Sequence, residues 1–392
     1  MQWILKFKKE FKLLLWSGLL IPLAFLEFSF CANYAWVLFL LSCWLYFLFI
    51  GIRSKIICFK IICFNAGAIF FALFLFEGYL WIRDNRLEKK RGIISTGDYA
   101  SKKYNAPNSF LGYGIKSDGI FSAKKTNPNQ EIYHILYTFK NGLRYTPNSN
   151  NESDTAILFF GCSLTFGEGL NDTSTLPFFF NKFAPQANKV LNYGFHGYGP
   201  HQMLASIEHR VHNDLSTHQS KKIAIYSFLP THISRASGYS AWDQAGPKYD
   251  WVNSNIQQVG MFNDFVSGWI INKLLLSHTF KRWMMRRKAS HQEVLITLGI
   301  IVKSAALLKS NGVDFYLFFW DNDLRVLGDE EQFFIDELRK AQIDLFFLHD
   351  AIPDYNQQLS LYTLSPDDAH PNAVANEKIA HYLVNQLKLQ TP

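Results

Sequence analysis

The chain has 392 residues, of which 48% are hydrophobic and 16% aromatic, and it carries a formal net charge of +7. Its basic residues are scattered, without the dense basic stripe and interleaved aromatics of a nucleic-acid-binding surface, so a nucleic-acid partner is excluded. Of five cysteines, four lie in or beside N-terminal apolar segments and Cys162 stands alone in the rest, so the sequence predicts neither a disulfide within the soluble part nor a metal site.

Three apolar stretches open the chain, at residues 13–30, 34–52 and 61–82. Each is close to the ~20 residues that a helix needs to cross a hydrocarbon core. Residues 1–82 are therefore predicted to be a membrane anchor of three transmembrane helices. A cleaved signal peptide is the alternative for the first stretch, but no small-x-small cleavage site follows it.

The positions of Lys and Arg predict the orientation of this anchor. Lysines within residues 6–12 and basic residues within 53–60 favour the cytoplasmic side, which puts the remainder of the chain outside the cytoplasm. We therefore expect a multi-pass membrane protein with an extracytoplasmic domain. The basic cluster in residues 83–91 favours the opposite orientation, which a re-entrant hairpin of the first two stretches would produce.

After the anchor, composition divides the chain into a charged juxtamembrane linker (83–108), a small β-rich segment (109–150) and a main domain (151–392). In the β-rich segment, an extended run at 132–137 followed by Asn141-Gly142 indicates a hairpin. In the main domain, buried-strand runs at 156–160, 189–193, 223–228, 315–320 and 345–348 alternate with helix-period segments. This alternation predicts an α/β fold, a flavodoxin-like parallel sheet with helices on both faces.

The sequence GCSLTFG at residues 161–167 directly follows the first of these strands. A hydroxyl at the carboxyl end of a parallel strand lies where such folds place their active sites. By itself, the motif is equally typical of a solvent-facing serine in a glycine turn. Ser163 is the candidate nucleophile. A thiol nucleophile at Cys162 is the alternative, but the spacing to Gly161 and Thr165 favours Ser163.

Near the C-terminus, the sequence DDAHPN at residues 367–372 precedes a helix. A serine nucleophile needs an imidazole base, and the imidazole needs a carboxylate to orient it. Asp367 and His370 are predicted to supply both from one loop. Ordinary helix N-terminal chemistry is the alternative, and Asp368 is the other acid available for it.

Together, the serine segment, a glycine segment and a late DxxHP resemble the SGNH/GDSL hydrolases over about residues 110–389. The resemblance implies a Ser163–His370–Asp367 triad and an oxyanion hole of backbone N–H groups from Ser163 and Gly197. The serine segment also looks like that of a bacterial subgroup with N-terminal membrane segments. The family's third block contributes an Asn side chain to the oxyanion hole. This chain has Leu229-Pro-Thr-His there, so Thr231 or His232 would have to replace that donor.

Three other features are interpreted as structural. Residues 320–323 (WDND) follow the fourth strand rather than the third and are predicted to be a loop. The histidines at 196, 201, 209, 212 and 218 lack acidic or Cys partners at ligand spacing and are predicted to be helix-surface and turn residues. The basic run 281–288 is predicted to be a solvated face, with a membrane-surface contact as the alternative.

These patterns and the resemblance predict a cofactor-independent serine esterase that acts on ester or O-acyl groups of an envelope glycan or lipid through a seryl-acyl intermediate. An O-acyltransferase on the same substrates and an inactive glycan-binding module are the two alternatives.

Overall fold

A computed structural model of the chain describes residues 35–184, 188–215 and 219–388. The chain divides into two compact units. The hairpin unit contains the described residues up to Arg91 together with Asn272–Met285, and the sheet unit contains the described residues within 92–271 and from 286 onward.

The hairpin unit is built on helices α1 (Ala35–Arg53) and α2 (Ile57–Arg91). Both are long and apolar enough to cross a membrane, and they correspond to the second and third predicted spans. The first predicted span, at 13–30, lies outside the described residues. The predicted linker is corrected in its first part: α2 continues through residues 83–91, since these are residues of good helix propensity, and ends before Gly92 at φ +58°.

A carboxylate on the apolar helix α2 holds the Asn272–Met285 segment. Glu77 is 2% exposed. Its oxygens accept hydrogen bonds from the backbone N–H groups of His278 (2.5 Å) and Thr279 (3.1 Å) and from the Thr279 hydroxyl (2.6 Å). Glu77 thus satisfies the N–H groups of His278 and Thr279, and the Ser277 hydroxyl accepts from the Phe280 N–H at 3.2 Å, so both residues cap the first turn of helix His278–Arg286. About two turns further along α2, Asp84 contacts His278 and Arg282.

The strands of the sheet unit are β1 (Ile94–Thr96), β2 (Asn105–Asn108), β3 (Gly112–Ile115), β4 (Gly119–Thr126), β5 (Glu131–Lys140), β6 (Leu143–Arg144), β7 (Thr155–Phe160), β8 (Lys189–Asn192), β9 (Lys221–Phe228), β10 (Pro247–Val252), β11 (Asn255–Met261), β12 (Asp314–Phe319), β13 (Asp344–Phe347), β14 (Thr363–Ser365) and β15 (Asp368–Pro371). Its helices are α3 (Gly97–Ala100), α4 (Ser163–Phe166), α5 (Leu176–Phe183), α6 (Pro200–Ser206), α7 (His212–Asp214), α8 (Thr231–Ala236), α9 (Val266–Leu274, which extends into the hairpin unit), α10 (His278–Arg286, of the hairpin unit), α11 (His291–Ser310), α12 (Glu331–Lys340), α13 (Leu348–Ala351), α14 (Leu359–Tyr362) and α15 (Ala373–Gln386).

Within the described residues, nine strands form one sheet in the order β1-β4-β5-β6-β8-β7-β9-β12-β13. The last five pair in parallel, and their order β8-β7-β9-β12-β13 is that of flavodoxin-like sheets. All five predicted strands are present, so the predicted mixed α/β fold with a large central sheet is confirmed.

The N-terminal strands extend this same sheet rather than forming a separate layer. β1, β4, β5 and β6 pair antiparallel, and Arg144 of β6 pairs with Asn192 of β8. The predicted hairpin is present between β5 and β6, where Asn141 (φ +53°) and Gly142 (φ +64°) adopt the left-handed conformation that a two-residue turn requires. The second part of the predicted linker is therefore corrected as well, because residues 94–96 and 105–108 are strands.

Alternate residues of β7 face two different apolar layers. Leu158 and Phe160 belong to one cluster, together with residues of α6, α11 and α12. Ile157 and Phe159 belong to the other, together with residues of α5 and α15. Because all six residues of β7 are buried, the strand lies at the centre of the domain, and its carboxyl end opens onto the candidate site.

Candidate active site

The chain makes a sharp turn between β7 and α4 that presents Ser163. Gly161 has φ +154°, and a Cβ on it would lie 2.2 Å from the Thr165 hydroxyl, so only glycine fits there. Ser163 then begins α4, and its backbone N–H has no protein acceptor among the described residues. The serine is thereby fixed at the carboxyl end of the central parallel strand.

The model places His370 against this serine. His370 Nε2 lies 2.9 Å from Ser163 Oγ, a hydrogen-bonding distance. His370 belongs to β15, which pairs antiparallel with β14, and Asn372 directly after β15 caps α15. The two residues are 207 positions apart in sequence and are brought together by the fold.

The acid beside His370 is Asp368, which corrects the prediction of Asp367. Asp368 Oδ1 lies 2.6 Å from His370 Nδ1, whereas Asp367 is exposed and accepts a hydrogen bond from Asn127. The physical reason is the backbone conformation. Residues 368–371 are extended, and in a strand the side chains two positions apart point to the same side.

Lys125 of β4 completes the environment of Asp368. Its Nζ lies 2.8 Å from Asp368 Oδ2, and the Asp368 side chain is 2% exposed. Burial disfavours the carboxylate, but His370 and Lys125 outweigh burial and lower the pKa of Asp368 below its usual value. Asp368 is therefore a carboxylate at neutral pH. Part of its stabilisation comes from Lys125 on β4, one of the antiparallel strands.

A second carboxylate faces His370. Glu168 Oε2 lies 3.8 Å from His370 Nε2. Burial disfavours the charged imidazole, but the hydrogen bond to Asp368 and the charges of Glu168 and Asp368 outweigh burial and raise the pKa of His370. Burial likewise disfavours the Glu168 carboxylate, yet His196, His370 and Tyr99 lower its pKa to about 2.

Of the predicted oxyanion-hole residues, Ser163 and Gly197 line one cavity. Gly197 has φ +74°, and a Cβ there would lie 2.3 Å from Trp242 Nε1, so the position requires glycine. The Gly197 backbone N–H, like that of Ser163, has no protein acceptor among the described residues.

Neither Thr231 nor His232 lines this cavity. This corrects the prediction that one of them replaces the oxyanion-hole Asn side chain of the SGNH/GDSL hydrolases. Thr231 is exposed at the start of α8. His232 is fully buried, with its Nδ1 2.8 Å from the Tyr226 hydroxyl. The first turn of α8 directs its polar groups elsewhere, and it is Arg235, one turn later, that lines the cavity.

The cavity beside Ser163 has a volume of ≈ 740 Å³. Its lining is aromatic and polar, and it comprises Tyr99, Ala100, Lys102, Tyr104, Asn105, Tyr113, Ser163, Glu168, Phe195, His196, Gly197, Arg235, Ala241, Trp242 and His370. The size is typical of a small-molecule site. All of these residues belong to the sheet unit.

Two of the predicted surface histidines are partners of acids, one of them fully buried, which corrects that interpretation. His196 Nδ1 lies 2.6 Å from Glu168, and His201 Nε2 lies 2.6 Å from Asp243 with both side chains 0% exposed. The two pairs are separated by 28 and 42 residues in sequence, so local spacing does not predict them. His218 lies outside the described residues.

The remaining alternatives do not line this cavity. Cys162 is fully buried, with its Sγ 3.9 Å from Ser163 Oγ. In the 320–323 loop, Asp321 accepts a hydrogen bond from the His349 backbone, and Asp323 pairs with Arg325. The basic run 281–288 is partly paired rather than fully solvated, since Arg287 contacts Glu293.

Sequence reasoning missed Lys125, Glu168, Arg235 and Trp242. A charged residue between two glycines, directly after a candidate nucleophile, was the available signal for Glu168. No local signal pointed to Lys125, because its contact is made across 243 residues.

No family model matches the chain, and no curated protein matches it. Among solved structures, it is similar to a putative lipolytic protein of the G-D-S-L family from Desulfitobacterium hafniense DCB-2. The TM-score is 0.36 and the identity 11%, over 59% of this chain and 98% of that one. A similarity this low carries no conclusion about activity.

Proposed function

We propose that the protein is a membrane-anchored serine ester hydrolase of the SGNH/GDSL type. The observation that carries the proposal is the hydrogen-bonded series Ser163–His370–Asp368 at the edge of a cavity. The order of the serine, glycine and DDAHP segments, which resembles that family, supports it.

The geometry suits acyl transfer in two steps. As Ser163 Oγ bonds to the ester carbonyl carbon, its proton passes to His370 Nε2, and Asp368 holds the imidazolium through Nδ1. His370 then donates that proton to the departing alkoxide. In the second step it takes a proton from water as the water oxygen attacks, and it returns the proton to Ser163 as the acid leaves.

The negative oxygen of the tetrahedral intermediate needs donors. The backbone N–H groups of Ser163 and Gly197 are the candidates, since both residues line the cavity and neither N–H has a protein acceptor among the described residues. Arg235, which also lines the cavity, is the candidate for the donor that the family's Asn supplies.

The cavity walls favour an acylated sugar as substrate. Aromatic side chains, including Trp242 at 59% exposure, line the cavity together with the polar side chain of Asn105 and the cations of Lys102 and Arg235. A sugar ring offers apolar faces and a hydroxyl rim, which such a lining matches. We therefore propose an O-acyl or ester group on an envelope glycan as the substrate, with an envelope lipid as the second choice.

The test is labelling of the full chain in detergent with a fluorophosphonate probe. Wild type is expected to label, and Ser163→Ala and His370→Ala are expected not to label. Cys162→Ala tests the alternative nucleophile and should still label, because the thiol does not line the cavity. A folded wild type that does not label would overturn the proposal.

Transfer to a glycan hydroxyl instead of water is chemically equivalent in the second step. Product analysis with and without an added glycan acceptor separates the two reactions. Appearance of acylated glycan would identify an acyltransferase, and free acid alone would identify a hydrolase.

A binding module without catalysis is the second candidate, and the positions of Thr231 and His232 favour it, since neither replaces the missing Asn. Loss of one oxyanion donor typically costs ~10²–10³ in rate. Glycan binding that is unchanged in Ser163→Ala, without ester turnover in wild type, would establish this function.

We further propose that α1 and α2 span a bacterial inner membrane, with the sheet unit outside the cytoplasm, as the basic residues before and between the apolar stretches favour. A reporter that is active only outside the cytoplasm, fused after Pro392, should be active. A silent reporter would reverse the orientation.

A further inference from the structure

The candidate catalytic imidazole lies between two carboxylates. Asp368 Oδ1 is 2.6 Å from His370 Nδ1, and Glu168 Oε2 is 3.8 Å from His370 Nε2. Ser163 Oγ is 2.9 Å from that same Nε2. A serine–histidine–aspartate series needs only the first carboxylate, so Glu168 has no role in the mechanism above.

Glu168 is held in this position from two sides. Tyr99 donates its hydroxyl to Glu168 Oε1 at 2.9 Å, and His196 Nδ1 lies 2.6 Å from Oε2. His196 is in turn fixed through Nε2, which lies 2.8 Å from the Tyr104 hydroxyl. The Glu168 side chain is 8% exposed, so its charge is only weakly screened by water.

We propose that Glu168 is a positioning residue that stabilises the imidazolium form of His370 during acyl transfer, with Tyr99 and His196 fixing its carboxylate. The proposal rests on the proposed function. As the Ser163 proton moves to Nε2, the new positive charge forms 3.8 Å from the Glu168 carboxylate, which favours proton uptake.

The charges around His370 come from several elements. Asp368 lies on β15, Glu168 follows α4, His196 follows β8, and Lys125 reaches Asp368 from β4. Removing the Glu168 charge leaves Lys125 and Asp368 as before. The protonation midpoint of His370 should then fall by about one pH unit, the lower end of what a neighbouring opposite charge at this distance produces.

The experiment measures this midpoint without catalysis. Diethyl pyrocarbonate modifies neutral imidazole, and mass spectrometry of the peptide that contains His370 gives the modified fraction at each pH. The full chain in detergent is compared as wild type, Glu168→Gln and Tyr99→Phe. Tyr99→Phe removes one hydrogen bond but keeps the charge, so its midpoint should stay within a few tenths of a unit of wild type.

Fluorophosphonate labelling over the same pH range is the second readout. In Glu168→Gln, its acid limb should move to lower pH by the same amount as the diethyl pyrocarbonate midpoint. Equal midpoints in wild type and Glu168→Gln would overturn the inference. Shifted midpoints in a protein that never labels would instead overturn the proposed function and leave the Glu168–His370 coupling standing.

If Glu168→Gln does not fold, the double variant Glu168→Gln/His196→Gln replaces the pair by two amides that can hydrogen-bond to each other. Its His370 midpoint should also lie below that of wild type, because the carboxylate is absent. A midpoint equal to or above wild type would contradict the proposal.

Discussion

Asp367 and Asp368 are neighbours in sequence, but they lie in different environments. Asp368 is buried between His370 and Lys125, whereas Asp367 is exposed beside Asn127. A backbone in extended conformation separates the two side chains, and this decides which of them orients the imidazole.

Asp368→Asn should lower the rate of fluorophosphonate labelling by ~10³–10⁴-fold, since an amide no longer stabilises the imidazolium or its correct tautomer. Asp367→Asn, the matched control, should change the rate by less than about threefold, because its side chain is exposed and its hydrogen-bond partner is Asn127 rather than His370. The ratio of labelling rates is the measurement. A larger loss of labelling rate in Asp367→Asn than in Asp368→Asn would show that Asp367, the acid predicted from the sequence, orients His370.

Lys125→Met should move the acid limb of labelling to higher pH by about half a unit. The sign follows from charge: Lys125 opposes the positive imidazolium, so its removal raises the pKa of His370, and the neutral base then appears only at higher pH. Lys124→Met is the control, since Lys124 pairs with Glu131 instead. A downward shift in Lys125→Met would contradict this account of the site.

At the scale of elements, the helix α10 of the hairpin unit has a local cap, the Ser277 hydroxyl, and a second acceptor on another helix. Glu77, a residue of α2, accepts from its first N–H groups and is nearly inaccessible to solvent. A carboxylate in an apolar helix is costly unless its oxygens are satisfied, and here they are. The interaction therefore fixes the start of α10 beside Glu77 of α2.

Glu77→Ala should increase amide hydrogen exchange at residues 277–280 by about tenfold, the equivalent of a lost helix cap. Glu88→Ala, an exposed change on the same helix, should leave exchange there unaltered. Exchange is followed by mass spectrometry on the full chain in detergent. Unchanged protection in Glu77→Ala would show that other contacts hold the segment.

At the scale of the whole sheet, Arg144 occupies the seam between the antiparallel and parallel halves. Its side chain is 0% exposed and pairs with Asp172 at 2.8 Å. It also donates to the Leu170 carbonyl at 3.0 Å and lies over the rings of Tyr137 and Phe166. The residues after the serine turn are thereby tied to the first antiparallel strands.

Arg144→Leu should lower the free energy of unfolding by about 3 kcal/mol, because Asp172 loses its buried partner. The midpoint of thermal unfolding in detergent measures the loss. Arg325→Leu breaks the exposed pair with Asp323 and should leave that midpoint within error. Equal midpoints for the two variants would mean that the seam does not depend on Arg144.

The alternation of buried strands and periodic helices in residues 155–347 determined the parallel sheet. A strand that is buried on both faces is apolar at nearly every position, and this pattern is visible in the local sequence. The glycines around Ser163, and the position of His370 just before a helix, likewise identified two residues of the candidate site. Both signals are local, because a sharp turn and a helix start each involve only a few consecutive residues. Tertiary structure alone decided the rest. The conformation of a strand places Asp368 beside His370. Contacts across tens to hundreds of residues bring Glu168 to His370, His196 to Glu168 and Lys125 to Asp368, and spacing along the chain does not encode them.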